Sequence, residues 1–267
     1  MFQQEAGLAR IQGLMIDMDG TLCRGWEVIE GAPEFIAELN EAGMPYVLLT
    51  NNSSASRESY LHKMRTLGFP VGMENILSST TATLLFLQEE RPGKSVYPLG
   101  TPDFMAELEA SGIEVSDDAP IVLLAFDRSI TYEKINRAYQ LLKDGAELVC
   151  THPDQLCPTE DGYDVDIGPF ITLFQSLLEI EPVVVGKPNR LMAEMSARHM
   201  GVALEGLAMI GDRLYTDMRM AVENDLTSIL VLSGEAEAGE LEGSTLKPDL
   251  VLGSVRDLLG AFKNTGQ

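Results

Sequence analysis

Basic residues are scarce in this chain. Nineteen lysines and arginines stand against 41 acidic residues among 267, a net charge of -22. That balance argues strongly against nucleic acid as a partner, because its polyanionic backbone demands a basic surface, and anionic membrane surfaces are disfavoured for the same reason. Long apolar runs are missing too: no stretch approaches the ~20 residues that span a bilayer, and the opening MFQQEAGLARIQGLMIDMDG carries an acid early, without the basic-then-apolar order of a secretory signal. A cytoplasmic location is the expectation. Cysteine is sparse, and Cys23, Cys150 and Cys157 show neither CxxC nor metal-ligand spacing. An odd number cannot all pair within one chain, so reduced thiols are expected. The glycosylation sequons at Asn51 and Asn52 then have no compartment in which to matter. No GxxxxGK[ST] loop is present, which argues against a P-loop kinase. The single tryptophan, Trp26, is expected to pack.

What is present describes a packed protein with an alternating plan. Apolar residues make up 45%, ordinary for a chain that buries a core. Short apolar runs, LMI, YVLL, IVLLAF, ELVC, PVVV, LAMI and SILVL, are each followed within a few residues by a helix-like stretch, the form of an α/β protein with a mostly parallel sheet. Helices are expected near 32–42, 56–67, 80–90, 132–143, 189–200 and 215–223. No internal repeat, low-complexity tract or long linker stands out. The segment from about 80 to 181 has its own βαβα pattern and ends in THPDQLCPTEDGYDVDIGP, where Pro, Gly and Asp cluster. An inserted domain and a single longer sheet both fit that pattern.

Chemistry concentrates where apolar runs stop. Leu14-Met15-Ile16 ends at Asp17 and Asp19, and residues two apart on a strand face one side, so the carboxylates converge beyond the sheet edge where ligands of open α/β sheets bind. Gly20 allows a sharp turn and Thr21 can hold it. Two close carboxylates repel unless one keeps its proton or a cation lies between them, and hard oxygen ligands suit magnesium. Alone, this pair reads equally well as a turn. A second run, Tyr46 to Leu49, leads into Thr50-Asn51-Asn52-Ser53-Ser54 before a helix, an anion site or simple capping. A third, Val183 to Val185, meets Lys187 in Gly186-Lys187-Pro188, and a fourth, Leu207 to Ile210, meets Asp212 and Asp217 in GDRLYTD. A lone lysine is ordinarily a solvated charge, and Asp217 alone could simply start a helix. Together the four supply the parts that phosphoryl transfer needs.

With DMDGTL, LLTNN, VGKP and GDRLYTD in that order, the chain resembles the haloacid-dehalogenase (HAD) superfamily throughout its length. Residues 24–35 and Thr151-His152-Pro153-Asp154 are similar to its NagD-like class IIA branch. The resemblance implies a Rossmann-like three-layer core with a parallel sheet, residues 1–79 and 182–267, and an inserted α/β cap domain, residues 80–181. It implies a phosphatase in which Asp17 is the nucleophile and Asp19 the general acid and base. Mg2+ would be held by Asp17, the Asp19 carbonyl and Asp212, with Asp217 in or beside the shell. Thr50, Asn51 and Asn52 would bind the phosphoryl oxygens, and Lys187 would neutralise charge and orient Asp17. A cap-mediated homodimer is an expectation from the same branch. Asp19 itself favours phosphomonoester chemistry over dehalogenation or ion-pumping ATP hydrolysis within the superfamily.

Leaving-group contacts are expected from His152, Asp154 and Asp166, and less so from Asp127 and Arg128. Asp166-Ile167-Gly168-Pro169 departs from the small-residue pattern common in the branch, so the metabolite is not carried over from relatives; sugar phosphates, nucleoside monophosphates and pyridoxal phosphate all stay open. His62 and His199 fall on helices, as surface or core groups. Two other functions compete. A phosphotransferase or mutase would use a sugar as acceptor in place of water. A non-catalytic magnesium and phosphate sensor would leave the 80–181 segment unexplained.

Overall fold

The computed structural model describes residue 8 and residues 10–159 and 162–262. Its strands, in chain order, are β1 (Gly13–Asp17), β2 (Cys23–Arg24), β3 (Glu27–Val28), β4 (Tyr46–Thr50), β5 (Ile76–Ser78), β6 (Val96–Leu99), β7 (Ile121–Leu124), β8 (Glu147–Cys150), β9 (Leu156–Thr159), β10 (Gly162–Val165), β11 (Val183–Val184), β12 (Leu207–Gly211), β13 (Thr227–Val231) and β14 (Leu250–Leu252). The chain divides into two compact units, residues 1–50, 58–77 and 193–267, and residues 51–57 and 78–192.

In the first unit the sheet order is β14-β13-β12-β1-β4-β5. β1 pairs in parallel with both β4 and β12, and β12, β13 and β14 continue in parallel. β1 and β12 are buried along their whole length, which explains why LMI and LAMI read as unbroken apolar runs and not as alternation. From β1 the chain first builds one side of the sheet, β4 and β5, and only later returns to β1's other flank with β12. The strand order thus reverses between β1 and β12, and the carboxyl ends of strands at such a switch point are where open α/β sheets hold ligands. Helix Ala32–Ala42 makes the crossover from β1 to β4. Proline near its first turn and a left-handed Gly43 after its last mark its ends. Its Phe35 packs on Phe262 with ring centroids 6.2 Å apart.

The second unit has its own parallel sheet, β11-β8-β7-β6. Val122, Leu124, Leu148 and Cys150 from its strands pack with Leu141, Leu142 and Phe174 from helices Tyr132–Lys143 and Gly168–Leu177. Thr131 caps the first of these helices through its side chain, which accepts from Lys134 N–H. Antiparallel β9 and β10 form a hairpin that leaves Leu156, Tyr163 and Val165 exposed.

Helices Ala32–Ala42 and Tyr132–Lys143 fall on their expected bounds. Pro102–Ala110 and Gly168–Leu177 were not expected. The expected helix over 215–223 instead opens as a π-helical turn, Leu214–Met218, before Arg219–Glu223. Trp26 does not pack: it stands 59% exposed between β2 and β3. Among the described residues no helix is long and apolar enough to cross a membrane.

Candidate active site

β1 and β12 run in register, with Ile16 opposite Ile210, so Asp17 and the residues that follow Gly211 leave the sheet side by side. Asp17, Asp212 and Asp217 each offer a carboxylate oxygen, and these oxygens lie within 4.8 Å of one another, all on buried residues. The π-helical turn produces the third member. It folds Asp217 back so that its Oδ2 accepts from the Arg213 N–H at 3.1 Å. Such turns recur at functional sites because the extra residue re-aims a side chain.

Backbone closes tightly around Asp212. Its Oδ2 accepts from Glu235 N–H at 2.7 Å, and its carbonyl accepts from Ala236 N–H at 3.0 Å. A Cβ on Gly20 or on Gly234 would overlap that carboxylate. The Gly20 carbonyl accepts from Ser233 Oγ at 2.8 Å, and the Ser233 carbonyl from Arg24 Nε at 2.7 Å. Three buried, mutually close carboxylates in a glycine-lined cradle form a hard-oxygen donor set, and that chemistry fits a small divalent cation.

Arg213, to which the motifs assign no role, is a counter-charge to this group. Burial works against its charge. The negative groups around it, Asp17 foremost, with Asp212 and Asp217, outweigh that and hold its pKa above the ordinary value. Its Nε also pairs with Glu235 at 2.9 Å. Asp19 behaves differently from the buried acids. It is half exposed, and its Oδ1 accepts from Lys63 Nζ at 3.0 Å and faces Cys23 Sγ at 3.8 Å. Burial above all pushes the Cys23 thiol up to about 11, so it is a neutral donor and not a competing nucleophile.

In the second unit, Asn51 is a clasp. Its Nδ2 donates to the Lys187 carbonyl at 2.8 Å, and its Oδ1 accepts from the Lys187 N–H at 2.9 Å. The same Nδ2 reaches both Asp154 oxygens at 3.1 Å. Asn51's side chain is thus committed to placing Lys187, which is itself buried and precedes a cis Lys187–Pro188 bond. Asn52 Oδ1 accepts from Ser54 N–H and Oγ at 2.8 and 2.7 Å, an Asx turn. Thr50 ends β4 in the first unit.

His152, Asp154 and Asp166 also converge, with ligand atoms within 4.8 Å. His152 and Asp166 are enclosed by protein: Nε2 meets Asp166 Oδ1 at 2.9 Å, and Nδ1 meets Thr151 Oγ1 at 2.9 Å. Asp127 is buried and bonds Ser129 and Lys134, while Arg128 lies over the Phe126 ring and 3.7 Å from Asp164. His199 lies on a helix and contacts the Glu74 carbonyl at 2.7 Å, and His62 is exposed.

Comparison with known proteins matches this geometry to a family. Residues 14–114 match the model of the haloacid dehalogenase-like hydrolases, and residues 184–258 a HAD-hydrolase-like model. The chain is similar to the sugar-phosphatase AraL of Bacillus subtilis, 33% identical over 92% of this chain and 91% of that protein. Its fold is similar to a 4-nitrophenylphosphatase of Thermotoga maritima, with a TM-score of 0.88 at 33% identity, covering 94% of this chain and 97% of that one. NagD of Escherichia coli K-12 superposes with a TM-score of 0.85 at 27% identity over 92% and 98%. With such relatives along nearly its whole length and acids gathered at the sheet's turning point, the chain belongs to the haloacid-dehalogenase superfamily, in its NagD-like class IIA branch, and is a phosphoric monoester hydrolase.

Proposed function

We propose that this phosphatase uses Mg2+ and a covalent aspartyl-phosphate to hydrolyse phosphomonoesters of small metabolites. One observation carries the reading: Asp17, Asp212 and Asp217 meet where the strand order reverses, between β1 and β12. Asp17, the Asp19 carbonyl and Asp212 would hold the ion, with Asp217 in or beside the shell. Bound there, the ion supplies positive charge that offsets the approach of a carboxylate to an anionic ester.

The chain's own residues then divide the chemistry. Asp17 attacks phosphorus, the bond to the leaving oxygen breaks, and Asp19 donates a proton to that oxygen. Asp19 next accepts a proton from water as the water attacks the aspartyl-phosphate; the bond to Asp17 breaks and orthophosphate departs. Thr50 and the loop of Asn51 and Asn52 bind the phosphoryl oxygens, and Lys187 adds positive charge to the transferring group. Asn51 contributes chiefly by fixing the Lys187 backbone, as its two reciprocal bonds support.

The segment 80–181 is assigned the choice of leaving group as a cap domain. Relatives named as a sugar phosphatase and a 4-nitrophenylphosphatase support small esters as the substrate class. A screen of phosphate release over sugar phosphates, nucleoside monophosphates and pyridoxal phosphate tests the reading, with Mg2+ supplied, no acceptor other than water, and Asp17→Asn as the blank. Release abolished both by EDTA and by the substitution is the expected result; turnover that survives Asp17→Asn overturns it.

A further inference from the structure

Asp19 has two carboxylate oxygens, and the fold treats them unequally. Among the described residues, both of its side-chain contacts fall on Oδ1: Lys63 Nζ donates to it at 3.0 Å, and Cys23 Sγ lies 3.8 Å away. Lys63 belongs to helix Arg57–Thr66, 44 residues along the chain from Asp19, and is only 20% exposed, whereas Asp19 is 54% exposed. The turn carrying Asp19 is itself fixed by backbone bonds, Gly20 N–H to the Cys23 carbonyl at 2.7 Å and Cys23 N–H to the Met18 carbonyl at 3.1 Å. A half-exposed carboxylate on a fixed turn still rotates about its own side-chain torsions. The ammonium restricts that freedom by holding one oxygen.

We infer that Lys63 is a positioning residue for the leaving-group step: it grips Asp19 Oδ1 so that Oδ2 is the oxygen that exchanges protons with the leaving group and with water. The inference rests on the acid and base role proposed for Asp19. Lys63 touches no reacting atom in this account. Its effect comes from orientation, since proton transfer requires a donor within hydrogen-bond reach of the departing oxygen.

Leaving-group chemistry separates this role from a structural one. A p-nitrophenolate departs with little protonation, whereas an alkoxide such as that of glycerol phosphate departs only with a proton. Comparing kcat/KM for the two esters isolates the step at which the leaving group departs, because kcat/KM is blind to later hydrolysis of the phosphoenzyme. Lys63→Met is expected to lower kcat/KM for glycerol phosphate by about 10- to 100-fold, as misplacing a general acid does, while most of the rate with p-nitrophenyl phosphate survives. Lys63→Arg should restore part of the alkyl-ester rate, and thermal unfolding of Lys63→Met should match wild type. An equal loss on both esters, or no loss, overturns the inference while the phosphatase reading stands. A wild-type protein that releases phosphate from neither ester with Mg2+ present sinks that reading, and the inference with it.

Discussion

The imidazole of His152 and the carboxylate of Asp166 face each other at 2.9 Å inside the second unit, and neither is open to solvent. The contact extends into a chain. Asp166 Oδ1 also accepts from Ile167 N–H at 2.8 Å, Thr151 Oγ1 links His152 Nδ1 to Ser53 Oγ, and Ser53 Oγ accepts from Phe126 N–H at 2.9 Å. Thr151 Oγ1 donates its one hydrogen to Ser53 Oγ and so accepts from His152 Nδ1–H, and both ring nitrogens are engaged. Truncation strands buried polar groups, so His152→Ala should destabilise the protein by about 2–3 kcal/mol. Denaturant unfolding checks this. A variant as stable as wild type, but selectively impaired toward one ester, would return His152 to the role of substrate contact.

Asp154 predicts a pH signature. Burial, chiefly, raises its pKa, and His152 and the Asn51 amide only partly counter that. An acid whose folded pKa exceeds its unfolded value stabilises the fold while protonated; the contribution is complete below the ordinary carboxylate range and is lost as pH rises through the folded pKa. Asp154→Asn should therefore remove a decline in stability on going from about pH 4 toward neutrality, while still accepting from Asn51. Urea midpoints measured across that range should show a flatter profile for the variant; parallel profiles would refute the assignment.

Gly234 offers a steric test of the acidic cluster. Its backbone lies outside the left-handed region, so alanine fits its torsions, yet the added methyl would press into the Asp212 carboxylate. Gly234→Ala should lower kcat by about 100-fold, the scale of an ångström's misplacement, and raise the Mg2+ concentration needed for half-maximal rate. Unchanged metal dependence would mean that Asp212 does not act on the ion.

Charge predicts a kinetic effect of the opposite sense to ordinary screening losses. At -22 the protein repels an anionic ester at long range, and at physiological ionic strength that repulsion fades beyond about 8 Å. With Mg2+ held fixed, adding inert salt from a low starting concentration should raise kcat/KM. A fall would point to capture by a basic surface instead.

The legible parts of this protein are those encoded over a few consecutive residues. Asp17, Thr50, Lys187 and Asp212 stand out because each closes an apolar run, and burial on both faces keeps β1 and β12 free of polar interruptions. The helix Tyr132–Lys143 announces itself by its apolar period and its Thr131 cap. Gly168–Leu177 does not, because apolar residues ring it and blur the stripe, and Pro102–Ala110 begins at a proline that reads as a break. Partnerships across the chain are silent in sequence: nothing near Lys63 marks it as a partner of Asp19, and nothing near Asp166 names His152. Arg213 carried a signal in standing next to Asp212, but only the folded turn shows how many negative groups surround it.

Asn51 holds Lys187 by both its N–H and its carbonyl, across 136 positions of sequence. The chain between them contributes helix Arg57–Thr66 and β5 to the first unit before it builds the second unit's sheet. Because both bonds go to the backbone of residue 187, any side chain placed there would be held at the same spot, and the position rather than the lysine is what Asn51 secures.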